Sequence, residues 1–234
     1  MIPGKTESAS KGASDCRSCS IRDMVLFADL NEADFARIHA PIDDLELRAG
    51  TPLFQEGASA MGIFTLRAGR IKLMRSTSDG RQRIVRVLRP GDVAGMEALV
   101  VSRYNTDAVA LTDASVCRIP LSVIHTLGAS SPRLQQRLME KWHHALKDAD
   151  DWLADLNFGS ARQRVCNFVL KMRSATDGQV VTLFAREDMG SMLNLKLETV
   201  SREVSALVRE GALKPLDKQG RAYRILNLSP LLAA

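Results

Sequence analysis

The chain has 234 residues, 45% hydrophobic and 25% charged, with a formal net charge of +5; that length allows one large or two small domains with a sizeable core. Four cysteines are too few for a disulfide scaffold and suit a reducing, cytoplasmic setting. No apolar run reaches bilayer-spanning length, so no membrane partner is expected.

The charge is unevenly placed. From Ser160 to Ala234 there are 12 Lys and Arg against 7 Asp and Glu, whereas residues 1–159 carry 20 of each. The whole positive excess therefore falls in the last third, which points to a polyanion as partner.

Residues 1–25 form an arm. Its opening, MIPGKTESASKGASD, is small and polar and reads as solvated chain rather than a targeting segment. Cys16 and Cys19 follow as a Cys-x-x-Cys pair. That spacing serves zinc, iron–sulfur and thiol redox chemistry, and two thiolates alone complete neither kind of metal site.

Residues 26–128 read as an antiparallel β roll. Gly50, Gly57, Gly69, Gly80 and Gly91 punctuate short apolar runs, and Asp79-Gly80 is a hairpin signal. Ile71 and Leu73 alternate with Arg70 and Lys72, and Val85 and Val87 are expected opposite Arg86 and Leu88. Residues 129–159 read as a long helix. Leu134, Leu138, Trp142, Ala145, Ala149, Trp152 and Leu156 recur at three- and four-residue steps, with a second apolar line through Leu146 and Leu153. Such a seam suits parallel pairing with a second copy of the chain.

Residues 160–234 read as a winged helix-turn-helix. A helix over ARQRVCNFVLKMRS is followed by one from about Arg186 to Leu193, a turn at Asn194, and another from about Lys196 to Arg209. The closing run LKPLDKQGRAYRILNL gives two strands about Lys218-Gln219-Gly220, carrying Lys214, Lys218, Arg221 and Arg224. In the last helix Val200, Val204, Leu207 and Val208 form an apolar face, and Glu198, Ser201 and Arg202 share another. Glu198 suits the amine of cytosine, Arg202 a bidentate pair to guanine, and Ser201 either partner of an A–T pair. Lys196, Lys218, Arg221 and Arg224 suit phosphates, which position without specifying. The whole is an α+β chain.

The order of roll, long helix and winged helix-turn-helix, with LRAGRIKL, LRPGD and LETVSREVSALVREGAL, resembles the Crp/Fnr family of bacterial transcription regulators over nearly the whole chain. The resemblance implies a cyclic-nucleotide-binding-type β roll, a dimerisation helix, RNA polymerase as a further partner and no enzymatic activity. Glu198, Ser201 and Arg202 resemble the Fnr branch, whose members read TTGAT half-sites. Leu197 stands where Crp-type readers have arginine, and Lys196 stands where the family often has a Ser or Thr cap.

The resemblance also sets expectations for ligands. Cyclic-AMP-responsive members have Glu after the cassette glycine and an Arg-Ser pair for the phosphate. Here Met96 follows Gly95, the acid moves to Glu97, and Thr106-Asp107 replaces Arg-Ser, so cyclic AMP is not expected. Oxygen-sensing Fnr relatives hold a four-iron cluster on four cysteines, and the chain resembles that pattern at Cys16, Cys19 and Cys117. Val25 stands where the third arm cysteine belongs, leaving Asp23, Asp29 or His39 as candidate fourth ligands. A thiol oxidoreductase or zinc protein is the competing class, but the pair lacks a βαβ setting.

Overall fold

The computed structural model describes residues 12–13, 21, 24–38, 42–76, 82–173 and 178–233. Cys16, Cys19, Asp23, His39, the Asp79-Gly80 turn and the Thr176-Asp177 turn residues lie outside them. The chain divides into two compact units, Met1–Arg75 with Val85–Lys147 and Ser76–Ile84 with Asp148–Ala234.

The first unit is built on two antiparallel sheets. One runs β1 (Gly12–Ala13), β2 (Asp43–Leu47), β9 (Ala114–Pro120), β4 (Gly62–Ala68), β7 (Val93–Ala94). The other runs β3 (Pro52–Phe54), β8 (Asp107–Ala110), β5 (Ile71–Ser76), β6 (Gln82–Leu88). Leu66 and Val116 from the first and Ile71, Leu73 and Ala108 from the second join one hydrophobic core. Gly69 makes the turn after β4 at φ 84, where a Cβ would fall 2.2 Å from the Asp113 carbonyl oxygen. No other residue fits there.

Two expectations for these strands meet the structure differently. Ile71 and Leu73 are buried, as the alternation of β5 requires. In β6 the buried residues are Ile84, Val87 and Leu88, while Val85 is exposed. Ile84 and Leu88, four residues apart, share the inner face, which puts Val85 on the outer one, and only the burial of Val87 departs from the period of two.

A short α1 (Glu32–Phe35) opens with a capping box: Asp34 N donates to Asn31 Oδ1 at 2.9 Å and Asn31 N to Asp34 Oδ2 at 3.2 Å. The buried Asp34 also pairs with Arg133 at 3.2 Å. Then α2 (Leu121–Gly128) packs Val123, Ile124 and Leu127 into the core.

The long helix α3 covers Pro132–Asn157, 26 residues, about 39 Å at 1.5 Å per residue. Its apolar stripes have different fates. Leu134, Trp152 and Leu156 are buried within the chain itself, and Leu138 packs against the roll's core. The stripe left exposed is Met139 (70%), Trp142 (40%), Leu146 (64%) and Leu153 (56%), with half-buried Ala149 in line. Of the expected seam, Leu134, Trp152 and Leu156 are covered by the chain's own packing, and the exposed apolar line steps through 139, 142, 146, 149 and 153. Lys141, on the neighbouring face, donates to the carbonyl oxygens of Met24 at 2.6 Å and Gly91 at 2.7 Å. Burial, and then the neighbouring Arg137, lower its pKa.

In the second unit α4 (Ala161–Lys171) starts from a capping box of Ser160 and Gln163. It buries Val165, Cys166, Phe168 and Val169. Phe168 meets Trp152 and Phe184 edge-on, with centroids 6.4 and 5.7 Å apart, which explains why Trp152 faces inward. Three strands, β10 (Val180–Thr182), β12 (Ala222–Ile225) and β11 (Leu213–Pro215), form a small antiparallel sheet. The sequence reading missed β10, a three-residue strand.

Candidate nucleic-acid interface

The helix pair sits where the sequence placed it. α5 spans Arg186–Leu193 and α6 spans Leu197–Arg209. Between them Asn194 adopts φ 52, ψ 48, the only positive φ outside glycine among the described residues. Asn tolerates this left-handed conformation better than most residues. Arg164 on α4 holds the turn, its Nη1 donating to the Leu193 carbonyl at 2.7 Å. The helices approach so closely that a Cβ on Gly190 would lie 2.8 Å from the Leu195 carbonyl oxygen.

α6 is sharply two-sided. Val200, Val204 and Leu207 are buried, with Val208 half-buried beside them. Glu198 and Arg202 are exposed and Ser201 half-exposed on the other face. Arg202 pairs loosely with Glu203 at 3.5 Å rather than with Glu198, and 68% of its side chain is open. Such a pair is weak and leaves the guanidinium free to exchange partners. Lys196 precedes the helix without a side-chain capping bond, as expected of a lysine there. Leu197 is exposed beside it.

The wing presents cations in the same unit. Lys214 on β11 and Arg224 on β12 are directly paired in register and both exposed. Like charges facing each other across strands are destabilising, and a polyanion relieves that repulsion. Lys218 and Arg221 are exposed in the connecting turn. Asp217 closes that turn: its Oδ1 accepts from Arg221 N at 2.9 Å and its Oδ2 from Ala222 N at 2.8 Å. These bonds, the Arg221 one first, hold its carboxyl below the usual range. An aspartate at the start of a turn is a legible signal in hindsight. Arg186 also bonds the turn across 34 residues of chain, which no local pattern signals.

Inside the roll, Phe54 and Tyr104 stack with centroids 4.0 Å apart and Phe64 lies against both. Tyr104 Oη donates to the Gly62 carbonyl at 2.8 Å, and burial above all raises its pKa. Gly95 is left-handed, and Glu97 accepts from Asn105 N at 3.2 Å. Asp107, from the Thr106-Asp107 pair, accepts from Glu56 N at 2.8 Å. Exposed Arg103 donates to the Gly57 carbonyl. Cys117, in the middle of β9, is buried, and its Sγ donates to Asp44 Oδ1 at 3.2 Å, while Arg67 pairs with Asp44 Oδ2 at 2.8 Å. Val25 is buried, and Asp29 makes a 3.9 Å ion pair with Arg137. Among the described residues no group of three metal-ligating side chains converges.

A β roll, a long helix and a winged helix-turn-helix with an open polar face on its second helix, α6, define a DNA-binding regulator. Residues 44–131 match the cyclic nucleotide-binding domain family and residues 163–234 the Crp-like helix-turn-helix domain. The chain belongs to the Crp/Fnr family of transcription regulators. Similar proteins include the transcriptional activator protein FnrA of Stutzerimonas stutzeri, 26% identical over 93% of this chain and 91% of that one. The anaerobic regulatory protein of Haemophilus influenzae is 27% identical over 93% and 86%. Among solved structures, FixK2 from Bradyrhizobium japonicum superposes with a TM-score of 0.72 at 26% identity, covering 82% of this chain and 96% of that one. These relatives are transcription regulators rather than enzymes, and no helix among the described residues is long and apolar enough to cross a membrane.

Proposed function

We propose that the chain acts as a cytoplasmic homodimer that reads a TTGAT-type palindrome and controls anaerobic, redox or nitrogen-oxide-responsive genes together with RNA polymerase. The observation that carries this reading is the split of α6: three apolar residues locked into the unit, and Glu198, Ser201 and Arg202 on an accessible face. Glu198 accepts from cytosine, Arg202 forks onto guanine and Ser201 takes an A–T partner. Lys196, Lys218, Arg221 and Arg224 meet phosphates. The exposed line of Met139, Trp142, Leu146 and Leu153 pairs with its copy, which brings two reading helices to two half-sites.

The signal reaches this machinery by a route other than cyclic AMP. Phe54 and Tyr104 stack against Gly95, and in the family's pattern Thr106-Asp107 sets a carboxylate where the Arg-Ser pair would hold the cyclic phosphate. The residues also do not fit a four-thiolate iron–sulfur cluster: with Cys16, Cys19 and Cys117 the set is one short, Val25 is apolar and buried, and the Cys117 thiol is engaged with Asp44.

The test is fluorescence anisotropy on a TTGAT palindrome and a scrambled duplex with wild type and Arg202→Ala. Loss of one bidentate base contact lowers discrimination at one base pair by about 1–3 kcal/mol. An equal loss on every duplex would show that Arg202 contacts phosphate, not base.

A further inference from the structure

The turn between β11 and β12 is held from two sides, and neither hold involves its exposed cations. From within, Asp217 ties down the amides of Arg221 and Ala222. From outside, Arg186 at the first position of α5 donates through Nη2 to the Gly220 carbonyl at 3.1 Å and to Tyr223 Oη at 2.7 Å. Tyr223 Oη in turn donates to the Gly220 carbonyl at 3.0 Å, closing a three-membered network. The Arg186 guanidinium also lies 5.8 Å from the Tyr223 ring centroid, within cation–π range. Tyr223 is buried and Gly220 takes a positive φ of 65. The main chain of Arg221 is fixed on both sides, since its carbonyl accepts from Leu183 N at 2.8 Å. Lys218 and Arg221 thus project from a turn whose backbone is set before any partner arrives.

A loop that must be ordered on binding loses conformational entropy, and a preset one does not. Arg186 is half-buried, and its Nη2 donors go to a main-chain carbonyl and a phenol rather than to a carboxylate. That is the arrangement of a strut. We propose that Arg186 and Asp217 are positioning residues for DNA affinity: they lock the wing so that Lys218 and Arg221 meet the phosphate backbone without an ordering cost. The inference rests on the DNA-binding reading above and assigns no base contact to either residue.

The experiment uses the full chain as wild type, Arg186→Met, Arg186→Lys and Asp217→Asn, each first checked for an intact thermal transition. Hydrogen exchange of the amides from Lys218 to Ala222 is measured without DNA, and anisotropy is measured on palindromic and scrambled duplexes over a range of salt. The expected result is faster exchange in all three variants and binding weaker by about tenfold on both duplexes. The palindrome-to-scrambled ratio and the slope of log affinity against log salt stay at the wild-type values. Lysine does not fully rescue, because its shorter side chain ends in a compact ammonium and lacks the flat guanidinium that lies over the Tyr223 ring.

Unchanged exchange would overturn the proposal, as would full rescue by lysine. A salt slope reduced by about one would make Arg186 a phosphate contact instead. A loss confined to the palindrome would make it a reader, again against the proposal. A wild-type chain that binds neither duplex refutes the DNA reading and the proposed benefit together; exchange measured without DNA then shows separately whether the two residues hold the turn.

Discussion

Replacing Gly190 by alanine sets helix propensity against a close approach. Alanine is favoured over glycine inside a helix by about 0.8–1.0 kcal/mol, so propensity alone would stabilise α5. The new Cβ, however, would lie 2.8 Å from the Leu195 carbonyl oxygen. That carbonyl is main chain in a tightly held turn: Leu195 N donates to the Gly190 carbonyl at 3.0 Å, and Arg164 grips the Leu193 carbonyl at 2.7 Å. Relief therefore requires the turn to move and α6 to move with it. Overpacking of this kind costs about 1–3 kcal/mol, so the net change is a loss of up to about 2 kcal/mol. With a shift of about 4–8 °C per kcal/mol in a unit of this size, calorimetry resolves it. Gly128→Ala is the control: Gly128 ends α2 and a Cβ there meets nothing within 4 Å, so no loss of stability is expected. DNA affinity should fall by about 5- to 150-fold in Gly190→Ala, the equivalent of one lost base contact, and stay unchanged in Gly128→Ala. If Gly190→Ala instead raises the transition temperature and binds DNA as the wild type does, the close-approach reasoning is wrong.

Three further outcomes follow from the same structure. Leu146→Lys places a charge on the exposed line of α3 and should shift the chain toward monomer in light scattering with its fold intact; Leu156→Ala should instead cost about 2–5 kcal/mol of fold stability. Asp217, with its pKa depressed below 3.8, contributes its hold fully above the unfolded value and loses it only as pH falls through the lowered one. Wing amide protection, corrected for intrinsic exchange, should therefore be flat between about pH 7 and about pH 5; a marked drop in that window would refute the assignment. Cys166 is fully buried, and burial foremost pushes its thiol pKa up. Mass spectrometry after iodoacetamide treatment near pH 8 should find it unmodified until the chain is unfolded.

Helix α6 and the turn before it were legible because their signal is local: Val200, Val204 and Leu207 repeat at helical spacing, and Asn194 marks the turn. Ile71 and Leu73 were legible for the same reason at a period of two. The seam of α3 was not, because two apolar lines run along one helix and the sequence does not say which one its own chain will cover. Phe168 and Phe184 decide that for Trp152, and both are distant in sequence. In β6, burial of both Val87 and Leu88 departs from the alternation that set Val85 and Val87 opposite Arg86 and Leu88. Arg186 was invisible because its partners, Gly220 and Tyr223, lie 34 and 37 residues away, and nothing in a short window marks a strut of that reach.

The Lys141 ammonium on the long helix holds two main-chain carbonyl oxygens at once, that of Met24 near the start of the chain and that of Gly91 in the roll. A bond to main chain is indifferent to the side chain attached to it. Met24 is half exposed and can therefore drift among residue types without breaking the join. Gly91 cannot, with φ 92 and a Cβ position 3.1 Å from Met24 Cβ. This one join therefore ties down a lysine and a glycine but not Met24, whose side chain is free to vary, whereas Leu26, Phe27 and Leu30 beyond it are held by burial in the core.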